Sequence, residues 1–100
     1  MANVNIKRTV MDVLMLDGTE YQGVVVTLRD QIAAEEVSGR HNWGGTDKAP
    51  VRMGAFSVYS AMRRTGHFSG TYDDFQNAVE TVSPVEVVDV DPTQTSTPSD

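Results

Sequence analysis

The chain has 100 residues, no cysteine and a formal net charge of −6. That length holds one domain, and without thiols it forms no disulfide, thiolate metal site or cysteine nucleophile. No apolar run approaches the ~18–20 residues of a membrane-spanning helix, and Lys7-Arg8 is followed by no signal-peptide core, so the expectation is a soluble protein of a reducing cytoplasm.

Residues 9–16 are apolar and rich in strand formers. Asp17-Gly18 follows as a hairpin signal, because glycine accepts the positive φ of a tight turn. Residues 21–26 then read as the return strand, with Gly23 marking a bulge or a close backbone approach. Met11, Val13 and Met15 share one face of the first strand, and Val10, Asp12, Leu14 and Leu16 the other. Neither face is cleanly polar, so both are candidates for cover, one by a partner.

Thr27 and Asp30 have the spacing of a capping box and open a helix. Leu28, Ile32, Ala33 and Val37 form its expected buried stripe, and Gly39 its expected left-handed end. Residues 40–50, with Gly44-Gly45, read as a loop. Pro50 suits the first turn of a second helix, which carries Val51, Ala55, Val58, Tyr59 and Met62, widened by Met53 and Phe56. Arg52, Ser57, Ser60, Arg63 and Arg64 form its polar side, and Gly66 stops it. So apolar a helix is expected at the centre of the fold.

Thr71 caps a third helix, with Asp73 and Asp74 in its first turn, where the helix dipole favours anions. Tyr72, Phe75, Val79 and Val82 are its expected buried face, and Pro84 its end. Residues 85–91 alternate in part between apolar and acidic, as a strand or an extended segment does, and from Pro92 onward no apolar side chain occurs. Such a segment has too little to bury to offset its ordering entropy. The predicted architecture is α+β: an N-terminal β-hairpin, three helices and a disordered acidic tail, divided as a domain over 1–83 and a tail over 84–100.

The charge is uneven. Residues 1–70 carry a net +1, whereas residues 71–100 carry −7 and no base. An acidic end repels nucleic acid and anionic membranes and favours basic proteins. Chemistry is sparse. His41 and His67 lack neighbours at metal-ligand spacing, no P-loop or nucleophile motif is present, and Asp73 and Asp74 point to different sides of a helix. We therefore expect no catalytic residue, no metal and no cofactor. The candidate partner-binding residues are Trp43, Met53, Met62, Arg63, Arg64 and Phe68. Each also has a plainer role. Trp43, Phe68 and the methionines suit a core, and the two arginines complement the C-terminal dipole of their helix.

Several short motifs, taken in order, resemble a known family. They are Arg40-His41-Asn42-Trp43, Ala49-Pro50, Tyr59-Ser60-Ala61-Met62-Arg63-Arg64-Thr65-Gly66, Gly70-Thr71-Tyr72-Asp73-Asp74-Phe75 and Val79-Glu80-Thr81-Val82. This series looks like the tail assembly chaperones of long-tailed bacteriophages that infect actinobacteria, over about residues 14–90. The resemblance implies a non-enzymatic protein that binds the tape measure protein and helps recruit tail tube subunits. It also implies action in the host cytoplasm, absence from the mature virion, and the shorter of two products, the longer made by ribosomal frameshifting. Helix-in-groove recognition is the mode expected of it, with Met11, Met15, Met53 and Met62 as adaptable lining. Neither nucleic acid nor membrane is an expected partner, and self-association is compatible with the role. A small acidic regulator binding a basic protein, as an antitoxin or nuclease inhibitor does, is the alternative reading.

Overall fold

Three β-strands and four helices follow one another in the computed structural model, which describes residues 8–85. Strands β1 (Thr9–Met15) and β2 (Glu20–Val26) form the expected hairpin. At its tip Gly18 has φ 92°, and the Thr19 N–H donates to Asp17 Oδ1 at 2.9 Å. Helices α1 (Leu28–His41), α2 (Gly45–Lys48), α3 (Pro50–Arg64) and α4 (Tyr72–Ala78) come next, and strand β3 (Val79–Pro84) closes the series.

β3 corrects one expectation. Val79 and Val82 are not on a helix that ends at Pro84; the helix stops at Ala78, and Val79 turns extended (φ −101°, ψ 132°). The spacing of Phe75, Val79 and Val82 fits a helix. Val79, Thr81 and Val82 are nonetheless β-branched, and β1 offers an open row of backbone partners. The sheet order is β2-β1-β3, antiparallel throughout. The Val85 N–H continues the pairing onto the Val10 carbonyl at 2.8 Å. Pro84 and Val85, the first residues of the expected tail, thus pair with β1; the expected extension of β1 before residue 8, the rest of the strand reading over 85–91 and the disorder of the tail beyond Val85 lie outside the described residues.

Both outer strands carry an extra residue. Met11 faces Val24 but Val13 faces Tyr21, so Gln22 and Gly23 together oppose Asp12. Gly23 sits at φ 72° and its N–H donates to Asp12 Oδ1 at 2.9 Å, which is the bulge expected there. Strict alternation after Val26 and Val24 would turn Gln22 inward. The extra residue resets the phase and turns Tyr21 to the core instead. Glu80 does the same on β3: Leu14 faces Thr81 and Met15 faces Val79, so Val79 and Val82 both turn inward.

The core lies between this sheet face and α3, closed by α4, with Val13, Val24, Val58, Ala61, Met62 and Phe75 at its centre. Helix α3 is central, as expected, and packs against β2, α1, α2 and α4. It ends in a Schellman cap: the His67 N–H reaches the Met62 carbonyl at 2.8 Å, and the Gly66 N–H the Arg63 carbonyl at 3.2 Å, with Gly66 at φ 83°. Val51, expected in its buried stripe, is 81% exposed. The core face begins instead at Met53, about 200° farther round a 3.6-residue helix. Ser57, expected on the polar side, is buried and donates to the Met53 carbonyl at 2.9 Å.

Helix α1 is rotated in the same way. Leu28 and Ile32, expected inside, are 71% and 43% exposed, while Asp30, Ala34 and Ser38 form the buried face at i, i+4 and i+8. Asp30 decides this. One carboxylate accepts the Thr27 N–H and hydroxyl at 2.9 Å each, the Ser60 hydroxyl at 2.7 Å and the Arg64 guanidinium at 2.9 Å. Arg64 also donates to the Val25 carbonyl at 3.2 Å. A carboxylate so satisfied can be buried, and the small side chains of Ala34 and Ser38 let α1 run close against α3. The left-handed end of α1 falls at Asn42 (φ 57°), not at Gly39. The helix runs on because Ser38 anchors the chain beyond it: its carbonyl accepts the Trp43 N–H and its hydroxyl the Gly45 N–H, both at 3.0 Å. The expected loop over 40–50 therefore contains the single-turn helix α2.

Candidate functional site

Trp43 sits between two left-handed turns, Asn42 before it and Gly44 after it (φ 88°). A side chain at Gly44 would collide with Lys48, its Cβ falling 2.6 Å from the Lys48 Cβ. These turns swing the half-buried indole back over α3 and α4. Its ring centroid lies 5.8 Å from Tyr72, 6.2 Å from Phe56 and 6.0 Å from His41. The Arg52 guanidinium stands over it at 5.8 Å, a cation–π contact. From Trp43 the rings run inward without a break, through Phe56, Tyr72 and Tyr59 to Phe68 and Phe75.

The outer end of this aromatic chain floors an open cleft of about 600 Å³. Arg40 from α1, and Arg52 and Arg63 from α3, stand on its rim, with Asp73 from α4 as the one acid in the lining. A second cleft of about 530 Å³ adjoins it, sharing Arg52, Tyr72 and Gln76 and running toward Met11, Val79 and Val82. Together they form a long groove beside α3 and α4, apolar below and charged at one end. The volume lies within the ~300–1,000 Å³ range of ligand clefts.

One face of α3 builds the wall. Arg52, Phe56, Tyr59 and Arg63 fall at i, i+4, i+7 and i+11, a single helical stripe of two rings between two cations. The Tyr59 hydroxyl donates to the Gly70 carbonyl at 2.9 Å and accepts from Arg63 at 3.3 Å, and the Arg63 guanidinium lies 6.0 Å from the Tyr59 ring. Burial pushes the Tyr72 phenol up from its ordinary pKa, against the partial opposing effect of the Arg52 charge, so Tyr72 stays a neutral donor. At the N-terminus of α4 the Thr71 hydroxyl accepts the Asp74 N–H at 3.1 Å, and Asp74 accepts the Thr71 N–H at 3.0 Å. Hydrogen bonding from the Thr71 N–H, and then from the Thr71 side chain, holds the Asp74 carboxyl below the usual range. The same bonds fix the helix that carries Tyr72.

Removing only the Tyr59 hydroxyl tests how firmly this wall is held. Tyr59→Phe is expected to cost about 1 kcal/mol, one net hydrogen bond, seen as a melting point lower by roughly 4–8 °C.

The expected partner-binding residues divide between this cleft and the scaffold. Trp43 and Arg63 belong to the cleft. Phe68 is half-buried against Tyr59 and Phe75, inside the aromatic chain. Met62 has no exposed surface, and Met53 is buried on the core side of α3, so both methionines are core. Arg64 is the clamp on Asp30 and Val25. Arg40, Arg52, Phe56 and Tyr72 do not stand out for binding in the sequence. The stripe that Arg52 and Phe56 share with Tyr59 and Arg63 is the signal that marks them. His41 ends α1, exposed and stacked on Trp43, and His67 is exposed against Tyr21 at 5.2 Å. Among the described residues no three His, Asp or Glu side chains gather as metal ligands, and no helix is long and apolar enough to cross a membrane. Comparison with protein-family models, with curated proteins and with solved structures gives no match.

Proposed function

We propose that this protein is a tail assembly chaperone. It holds the tape measure protein while a phage tail is built, helps recruit tail tube subunits, and acts in the host cytoplasm by binding, with no catalysis. The ordered series of motifs between Arg40 and Val82 favours the reading, and the long aromatic groove is the observation that carries it. A tape measure protein is a long helical chain whose apolar stripes aggregate until the tube encloses them. A groove with an aromatic floor and a charged rim suits such a helix. The floor covers the apolar stripe, and the rim keeps the pair in solution.

Co-expression tests the proposal. Tape measure protein made with this chain is expected to stay largely in the soluble fraction, and to return to the pellet when Tyr72 is replaced by serine. Aggregation that is the same with and without the chain overturns the reading.

A further inference from the structure

We infer that the Trp43 end of the groove recognises an acidic segment of the partner: carboxylates placed beside an aliphatic or aromatic side chain. The inference rests on reading the groove as a binding site and adds the charge of what it binds. Arg40, Arg52 and Arg63 converge on one cleft from two helices, with Asp73 as the only acid in the lining. Among the described residues no carboxylate lies within ion-pair distance of any of the three; the ion pair found is Arg64–Asp30, outside the cleft. The chain as a whole carries −6, so this is a local positive site on a negative protein.

The planar guanidinium groups bind carboxylates through paired hydrogen bonds, and the rings between them receive the apolar neighbour. The contrast in charge also sets the length of the ligand. A short acidic segment meets the three arginines alone, whereas a long polyanion such as nucleic acid meets the negative remainder of the molecule too. The geometry therefore favours a protein segment over nucleic acid.

Trp43 is the only tryptophan in the chain, so its fluorescence reports on this cleft directly. The full-length protein is titrated with a blocked peptide in which glutamates alternate with leucines. The controls are the same peptide with glutamine in place of glutamate, and a single-stranded oligothymidylate. The glutamate peptide is expected to give a saturable change in Trp43 emission that fades as salt approaches about 1 M, where the screening length is about 3 Å. The combined variant Arg40→Gln with Arg52→Gln is expected to bind it roughly tenfold more weakly. Both arginines are exposed, and a far-ultraviolet spectrum equal to that of the parent shows that the variant is folded. An equal response to the glutamine peptide, tighter binding of the oligothymidylate, or an unchanged affinity in the double variant each overturns the inference. So does a salt-dependent emission shift of the protein alone that disappears on deleting residues 86–100, because the chain's own acidic end is then the occupant. A protein that keeps the tape measure soluble yet ignores the glutamate peptide defeats this inference alone.

Discussion

Asp30→Ala is expected to destabilise the protein by about 3 kcal/mol. The side chain is fully buried, and its loss leaves Thr27, Ser60 and Arg64 without their common acceptor. The helix cap contributes roughly 0.5–2 kcal/mol of this, and hydrogen bonds to a charged group roughly 1.5–3 kcal/mol more. For a domain of this size the melting point falls by at least about 10 °C. Acid gives an independent check. Burial alone raises the Asp30 pKa; the hydrogen bonds from Arg64, Thr27 and Ser60 outweigh it and hold the carboxyl at about 2, below the ordinary 3.8. A carboxyl depressed in the folded state stabilises it above the ordinary pKa, and that contribution disappears as pH falls through the folded value. The parent is therefore expected to lose about 2 kcal/mol from this group between about pH 5 and pH 1.5. Asp30→Asn lacks that part of the acid loss. Denaturant curves of parent and variant that run parallel across this range would show that the carboxylate is not held by these donors.

Phe75→Ala has a comparable or larger effect. Phe75 is 1% exposed and joins the aromatic chain to the core, its ring centroid 5.5 Å from Tyr59 and 5.4 Å from Phe68. Truncating a buried phenylalanine costs about 3–5 kcal/mol through lost burial and the cavity left behind. A 100-residue chain has a total stability of about 5–15 kcal/mol. The variant should then be partly unfolded at 37 °C by circular dichroism, with Trp43 emission shifted toward that of a solvated indole. Phe75→Leu refills much of the space and should recover more than half of the loss. A Phe75→Ala protein that melts within a few degrees of the parent would mean that the rings do not hold the sheet to the helices.

The hairpin, the Gly23 bulge, the caps at Thr71 and Gly66 and the central place of α3 are legible in the sequence because each depends on local chemistry. Glycine takes a positive φ at no steric cost, and a threonine hydroxyl at an N-cap accepts a free backbone N–H. The rotation of α1 is not legible in this way. Leu28, Ile32, Ala33 and Val37 make the better apolar stripe, and only a cation that arrives thirty-four residues later, Arg64, turns Asp30 inward. β3 is hidden for a related reason. Its valines fit either period, and the choice belongs to β1, which supplies the hydrogen bonds. The cleft lies between these cases. Trp43 stands out in a glycine-rich stretch, and the Arg52–Phe56–Tyr59–Arg63 stripe can be read from spacing alone. That Arg40 and Tyr72 join them depends on how three helices meet.

The inserted residues at Gly23 and Glu80 lie in the two outer strands of the three that the described residues form. A strand arriving from another molecule needs a flat, regularly spaced row of donors and acceptors, and each insertion breaks that row and sharpens the local twist. Both borders of the sheet are thereby blunted against growth into fibrils. The chain thus carries, in its own backbone, protection against polymerising when it is made in quantity.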